Sequence, residues 1–273
     1  MNRRGIMRTV AAFLLASFTL CAQWTNVKTR GVPRSPNGKV NLQAPAPRTP
    51  DGKPDFSGVW ENAEFEPCTD AFCNDVPQGY PKGGLFIGSA MKEPVPFQPW
   101  AAALWKQRAE DLGKDSPFTK CLPLNPPRSS WLWFAPRKIV QTPDLIVVLE
   151  EDNIDFRQIF LDGRKLPDDP EPMFKGYSVG RWEKDTLLVE SKGYKDGAWL
   201  DLTGSPLTDR LRVVERIRRP TFGKLQVEAT IDDPKAYTKP FTITFNMSPL
   251  VDQDLLEYVC AENEKDQRHL VGR

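Results

Sequence analysis

Leu211-Arg212-Val213-Val214-Glu215-Arg216-Ile217-Arg218-Arg219 carries the pattern on which the fold turns. Leu211, Val213 and Ile217 lie on one side of an extended chain and Arg212, Arg216 and Arg218 on the other, the period-two signature of a half-buried strand. The next two segments repeat it. Leu225, Val227, Ala229 and Ile231 oppose Gln226, Glu228 and Thr230, and Phe241, Ile243, Phe245 and Met247 oppose Thr242, Thr244 and Asn246. Upstream, Lys138–Thr142 and Leu145–Glu150 flank a Pro143-Asp144 turn, Ile154–Leu161 ends at Asp162-Gly163-Arg164, and Tyr177–Glu183 and Thr186–Lys192 flank Lys184-Asp185. With Arg210–Arg219, Lys224–Ile231, Phe241–Met247 and Leu255–Ala261, that makes nine candidate strands. Short connections predict an antiparallel meander, and so long a sheet avoids open edges by curling into a barrel. Such a barrel either holds one small ligand or fills itself with side chains.

The remainder of the chain divides around this block. Residues 23–55 hold Pro33, Pro36, Pro45, Pro47, Pro50 and Pro54 among few aliphatics, and read as an extended linker or surface-hugging arm. Residues 56–273 read as a single mainly-β domain, with 56–136 an irregular and helical cover and 137–262 the barrel strands. One helix stands out in the cover, from Pro99 to Gly113, with proline at its start, glycine at its end, and Trp100, Leu104, Trp105, Arg108 and Leu112 at helical spacing on one face. Trp131-Leu132-Trp133-Phe134 reads as a plug for one barrel end.

Composition excludes more than it suggests. The 273 residues carry 37 Lys+Arg against 36 Asp+Glu and one histidine, His269. There is no basic excess for nucleic acid, no multi-histidine metal site, and little support for a Ser-His-Asp triad. Arg3, Arg4 and Arg8 precede an apolar run from Val10 to Leu20, followed by Cys21 and Ala22: a signal peptide over 1–22, too short to span a bilayer. A lipoprotein reading through Cys21 is disfavoured by the bulky Leu20. Cleavage near Ala22 would leave 34 basic residues against 36 acidic ones and a secreted or periplasmic product. In that oxidising setting Cys68, Cys73, Cys121 and Cys260 read as disulfide cysteines. Of the three possible pairings, one closes a short loop between Cys68 and Cys73 and ties Cys121 to Cys260. A four-thiolate zinc site has the wrong spacing.

Several motifs also carry a resemblance. Residues 47–60, Pro-Arg-Thr-Pro-Asp-Gly-Lys-Pro-Asp-Phe-Ser-Gly-Val-Trp, resemble the opening of a set of secreted bacterial proteins with no established activity. Asp162-Gly163-Arg164, the Gly180-Arg181-Trp182-Glu183-Lys184-Asp185-Thr186-Leu187 hairpin and the run Ile231–Pro240 extend the similarity over roughly residues 47–270. In that set the segment before the hairpin often reads Gly-His-Ser; here it is Gly176-Tyr177-Ser178, so any chemistry of that histidine is absent. The strand pattern is also similar to lipocalin-like barrels, an analogy of architecture that implies no function.

Candidate chemistry falls to carboxylates, arginine, tyrosine and tryptophan. Glu215 shares the dry face of its strand, so it needs a partner or a ligand, and Arg181 is the expected partner. Trp182 and Trp199 are candidate pocket walls, while Asp162 with Arg164 and Asp232 with Asp233 suit turns as well as chemistry. Two functions follow. The first is a secreted binder of a small apolar or aromatic molecule inside the barrel, using Trp182, Glu215, Arg181 and Trp199. The alternative is a periplasmic lyase, isomerase or hydrolase using Glu215, Tyr177, Arg181 or Asp233 in acid–base roles. Neither reading calls for a cofactor, metal, nucleic acid or membrane span, and the oligomeric state stays open.

Overall fold

The structure, a computed structural model, describes residues 28–63, 87–91, 93–111, 113–132, 135–260 and 262. The segment 1–22 expected to be a signal peptide, Cys68, Cys73, Trp133, Phe134 and His269 lie outside the described residues. Nine strands close into one barrel in chain order. They are β1 (Gly58–Asn62), β2 (Arg137–Gln141), β3 (Leu145–Glu150), β4 (Asp155–Phe160), β5 (Tyr177–Glu183), β6 (Thr186–Lys192), β7 (Arg212–Thr221), β8 (Lys224–Asp232) and β9 (Phe241–Pro249).

Two details depart from the expected meander. The strand that completes the barrel is β1, not Leu255–Ala261. β9 pairs with β1 at Trp60↔Pro249 and Asn62↔Met247, so no edge remains for a later strand. The segment after Pro249 instead lies against the outer wall, where Lys138 binds Asp254 and the Leu256 N–H donates to Glu151. The second departure is that β4 and β5 pair in parallel, Ile159 opposite Ser178. The linking residues 161–176 contain Pro167, Pro170 and Pro172, which cannot donate to a hairpin ladder, and they run back along the wall. There Met173 exchanges backbone hydrogen bonds with Gly193 and Lys195 just past β6.

Side chains fill the lumen. Trp60, Val148, Leu187, Val189, Val227 and Ile243 are each fully buried, as the alternation of their strands requires. β5 turns its even residues inward, Ser178 and Gly180, and the lack of a side chain at Gly180 admits Leu161 and Ile159. A Cβ there would lie 2.6 Å from Leu161 Cδ2. Arg181 therefore points outward.

Both ends are covered. At one end helix α1 (Pro99–Glu110) docks on the β6–β7 and β8–β9 connections. Its buried contacts are Ala101 and Ala109, with Trp105 and Arg108 partly covered between them. Trp100, expected on the docking face, is 47% exposed, because alanine is what permits close approach; its indole N–H reaches the Lys235 carbonyl at the rim. Trp131 enters the lumen from this helix end and is fully buried.

The opposite end is crossed by the proline-rich arm. The Phe222 and Gly223 N–H groups donate to Ala44 and Leu42, and Gln141 holds Phe56 N–H and the Pro54 carbonyl. Arg48 pairs with Asp185 at 2.8 Å, and Arg34 with Asp252 at 2.6 Å. The arm thus fastens to the β7–β8 turn, the end of β2, the β5–β6 turn and the segment after β9.

Candidate binding site at the arm-covered mouth

Glu215 sits inside the barrel, fully buried, as its place on the dry face of β7 predicts. Its partner is Arg157 of β4, also fully buried, in a two-point guanidinium–carboxylate contact. The Trp131 indole donates to the same carboxylate. Ser178 and Ser191 accept from Arg157 at 3.2 and 3.1 Å, and Ser191 donates to Ser178 at 2.8 Å. Burial by itself would lower the Arg157 pKa, but the Glu215 charge and hydrogen bonds outweigh it and hold the guanidinium above its ordinary value. With three donors on its two oxygens and no surface exposed, Glu215 is committed to this network.

Arg181 is not the partner of Glu215. It lies on the outer wall, 60% exposed, bound to Glu190 at 2.7 Å and Glu183 at 3.5 Å. The inward face of β5 is the one carrying the small residues Ser178 and Gly180, opposite Ser191 and Val189, and not the one carrying Arg181. Arg157 was missed because Phe156 and Phe160 flank it, and these larger apolar residues suggest the opposite face for the lumen. Phe156 is in fact 54% exposed.

The remaining candidates are dispersed. Tyr177 is on the outer wall, where its hydroxyl accepts from Arg164, itself paired with Asp162 and stacked on Phe160. Asp233 is buried and caps the β8–β9 turn, accepting from Thr208 N–H at 2.7 Å and from the Thr208 hydroxyl at 2.8 Å. Trp182 packs against Phe56 at the arm end, with the rings tilted by 45°. Trp199 is buried at the helix end beneath Arg108, 4.7 Å from its ring centre. Trp182, Arg181, Glu215 and Trp199 thus occupy two ends, the outer wall and the lumen. Cys121 and Cys260 are bonded, with Cα atoms 5.6 Å apart.

A second charged cluster lies where β3 passes to β4. Lys175 binds Glu150 and lies 2.9 Å from Asp155, and Ser130 donates to Glu150. Neighbouring Asp152 is buried, and desolvation together with the Glu150 charge pushes its carboxyl up to about 6. Among the described residues no group of three or more His, Cys, Asp or Glu side chains is arranged to hold a metal ion.

The arm-covered mouth differs from these networks in having space. Between arm and barrel lies a cavity of about 310 Å³, with Val32 and Pro47 from the arm and Val59, Trp60, Phe222 and Leu250 from the barrel in its wall. Arg219, the last inward residue of β7, lines it too. Only 6% exposed, Arg219 rests over the rings of Trp60 and Phe222, 4.7 and 5.2 Å from their centres. Its terminal nitrogens donate to the Asp55 and Phe222 carbonyls, while Nε has no hydrogen-bond partner. Burial pushes its guanidinium down to about 10 against the opposing influence of the Asp55 charge. On its other side Arg219 borders a second cavity of about 440 Å³ that also meets Arg48, Arg218 and Asp185. Arg219 was not singled out in the sequence, although it continues the inward series Val213, Glu215, Ile217. Neither a family model nor a curated relative matches the chain.

Proposed function

We propose that this is a secreted small-molecule-binding protein, and that its apolar or aromatic ligand sits at the arm-covered mouth of the barrel, not deep in the lumen. The observation that carries the reading is the cavity of about 310 Å³ walled by Trp60, Phe222, Val59 and Leu250 and roofed by the arm. A concave, mostly apolar space with few polar groups is the usual form of a small-ligand site. The lumen offers less: Glu215 is held by Arg157 and Trp131, and the inward positions around it are occupied by packed side chains. The disulfide between Cys121 and Cys260 suits an oxidising compartment, and no helix among the described residues is long and apolar enough to cross a membrane.

The test uses the neutral dye N-phenyl-1-naphthylamine. Its emission should rise saturably with one site per chain, and Val32→Trp, which fills the cavity from the arm side, should weaken that binding at least tenfold with the fold intact by circular dichroism. Absence of binding to the wild type, or equal binding by the filled variant, overturns the proposal.

A further inference from the structure

We infer that the mouth cavity takes an organic anion, a carboxylate carried on an apolar or aromatic body, with Arg219 as the cation that receives it. This rests on the proposed binding site and adds the charge of its ligand. Arg219 and Arg157 both point inward, and they are treated differently. Arg157 meets a carboxylate, Glu215, through both of its terminal nitrogens. Arg219 meets only two backbone carbonyls, and no carboxylate lies within ion-pair distance of it among the described residues. A guanidinium withdrawn from water without a counter-ion is strongly disfavoured, so such a group is retained where a mobile anion completes it.

The surroundings agree with this. Besides Arg219, the charged residues lining the smaller cavity are Arg30 and Asp55, a balance of one positive charge, and the Asp55 carboxylate is engaged by the Ser57 N–H at 2.8 Å. In the larger cavity Arg48 is paired with Asp185 and Arg218 with Glu228, which leaves Arg219 as the lining cation with no ion-pair partner among the described residues. A chain of formal net charge +1 thus places an unpaired cation at its arm-covered, aromatic-walled mouth. The Trp60 and Phe222 rings beneath Arg219 hold the guanidinium plane by cation–π contact and leave its charge for a partner on the cavity side. Carboxylate is the anion such a planar cation matches best, and the apolar wall sets the rest of the molecule.

The experiment compares 2-naphthoate with the neutral 2-naphthalenemethanol by titration calorimetry, alongside the neutral dye. Wild type should bind 2-naphthoate at least tenfold more tightly, Arg219→Gln should abolish that preference, and Arg219→Lys should keep part of it. If the glutamine variant does not fold, the wild-type comparison together with Arg30→Gln, expected to weaken 2-naphthoate severalfold and the alcohol not at all, decides. Equal binding of both naphthalenes, a preference that survives in Arg219→Gln, or dye binding without 2-naphthoate binding overturns the anion inference and leaves the site standing. If neither naphthalene nor the dye binds, the site itself is refuted.

Discussion

Asp152 shows what a single buried carboxyl does to the molecule's response to pH. Its folded pKa of about 6 lies above the unfolded value near 3.9. The folded state therefore binds the proton more tightly than the unfolded chain. The stabilisation this confers is complete below about pH 4 and is lost as pH rises through about 6. Asp152→Asn should raise stability by about 2–3 kcal/mol at pH 7.5 and by about a third of that at pH 4.5, read as the shift in urea midpoint. An equal shift at both values would show that the gain has another origin. Residues of this kind were hardly legible in advance. Glu215 announced itself because a charge broke an apolar series, and its placement in the lumen followed from period two alone. Arg157 and Asp152 sit in segments where an apolar neighbour, Phe156 or Ile154, points outward, and only the closed barrel decides which face is the inside; Arg219 continues a readable inward series, but at the end of a run of arginines.

At the scale of elements, strands β2 to β9 were readable because each alternates or is bounded by a turn. β1 was not, since Gly58–Asn62 offers only Val59 and Trp60 as apolar residues and becomes a strand by pairing on both sides, with β2 and β9. The arm likewise has no periodicity; its course is set by the turns it crosses. Gly223 in the β7–β8 turn is the tightest of these crossings, where a Cβ would lie 2.5 Å from Leu42 Cβ and 2.8 Å from the Leu42 carbonyl oxygen. Backbone on both sides leaves little to yield, so Gly223→Ala should lift the arm. The expected result is faster tryptic cleavage at Lys39 or Arg48 and a loss of about 1–3 kcal/mol in stability. Unchanged cleavage would mean that the arm is held elsewhere, by Arg34 and Arg48.

For the whole molecule, the Cys121–Cys260 bond spans a sequence separation of 139, joining the cover between β1 and β2 to the segment after β9. Loop entropy gives such a link about 4–5 kcal/mol. Reduction, or Cys121→Ser, should lower Tm by on the order of 10 °C, followed by calorimetry with and without reductant. No change would place the stabilisation wholly in the barrel and arm. The sequence permitted this pairing among three, and the fold selects it by bringing the outer-wall segment 250–260 back to the cover.

The seam between β1 and β9 sets the order in which the chain is able to finish folding. Asn62 is made early and its partner Met247 nearly two hundred residues later, so the sheet stays an open ribbon until almost the whole chain has left the ribosome. During that interval β1 lacks one neighbour and β8 lacks its own, two bare edges that any chain ending before Pro249 would keep for good. A truncated product is thus a template for aggregation, and a holding chaperone has most to do in the time between synthesis of β1 and arrival of β9.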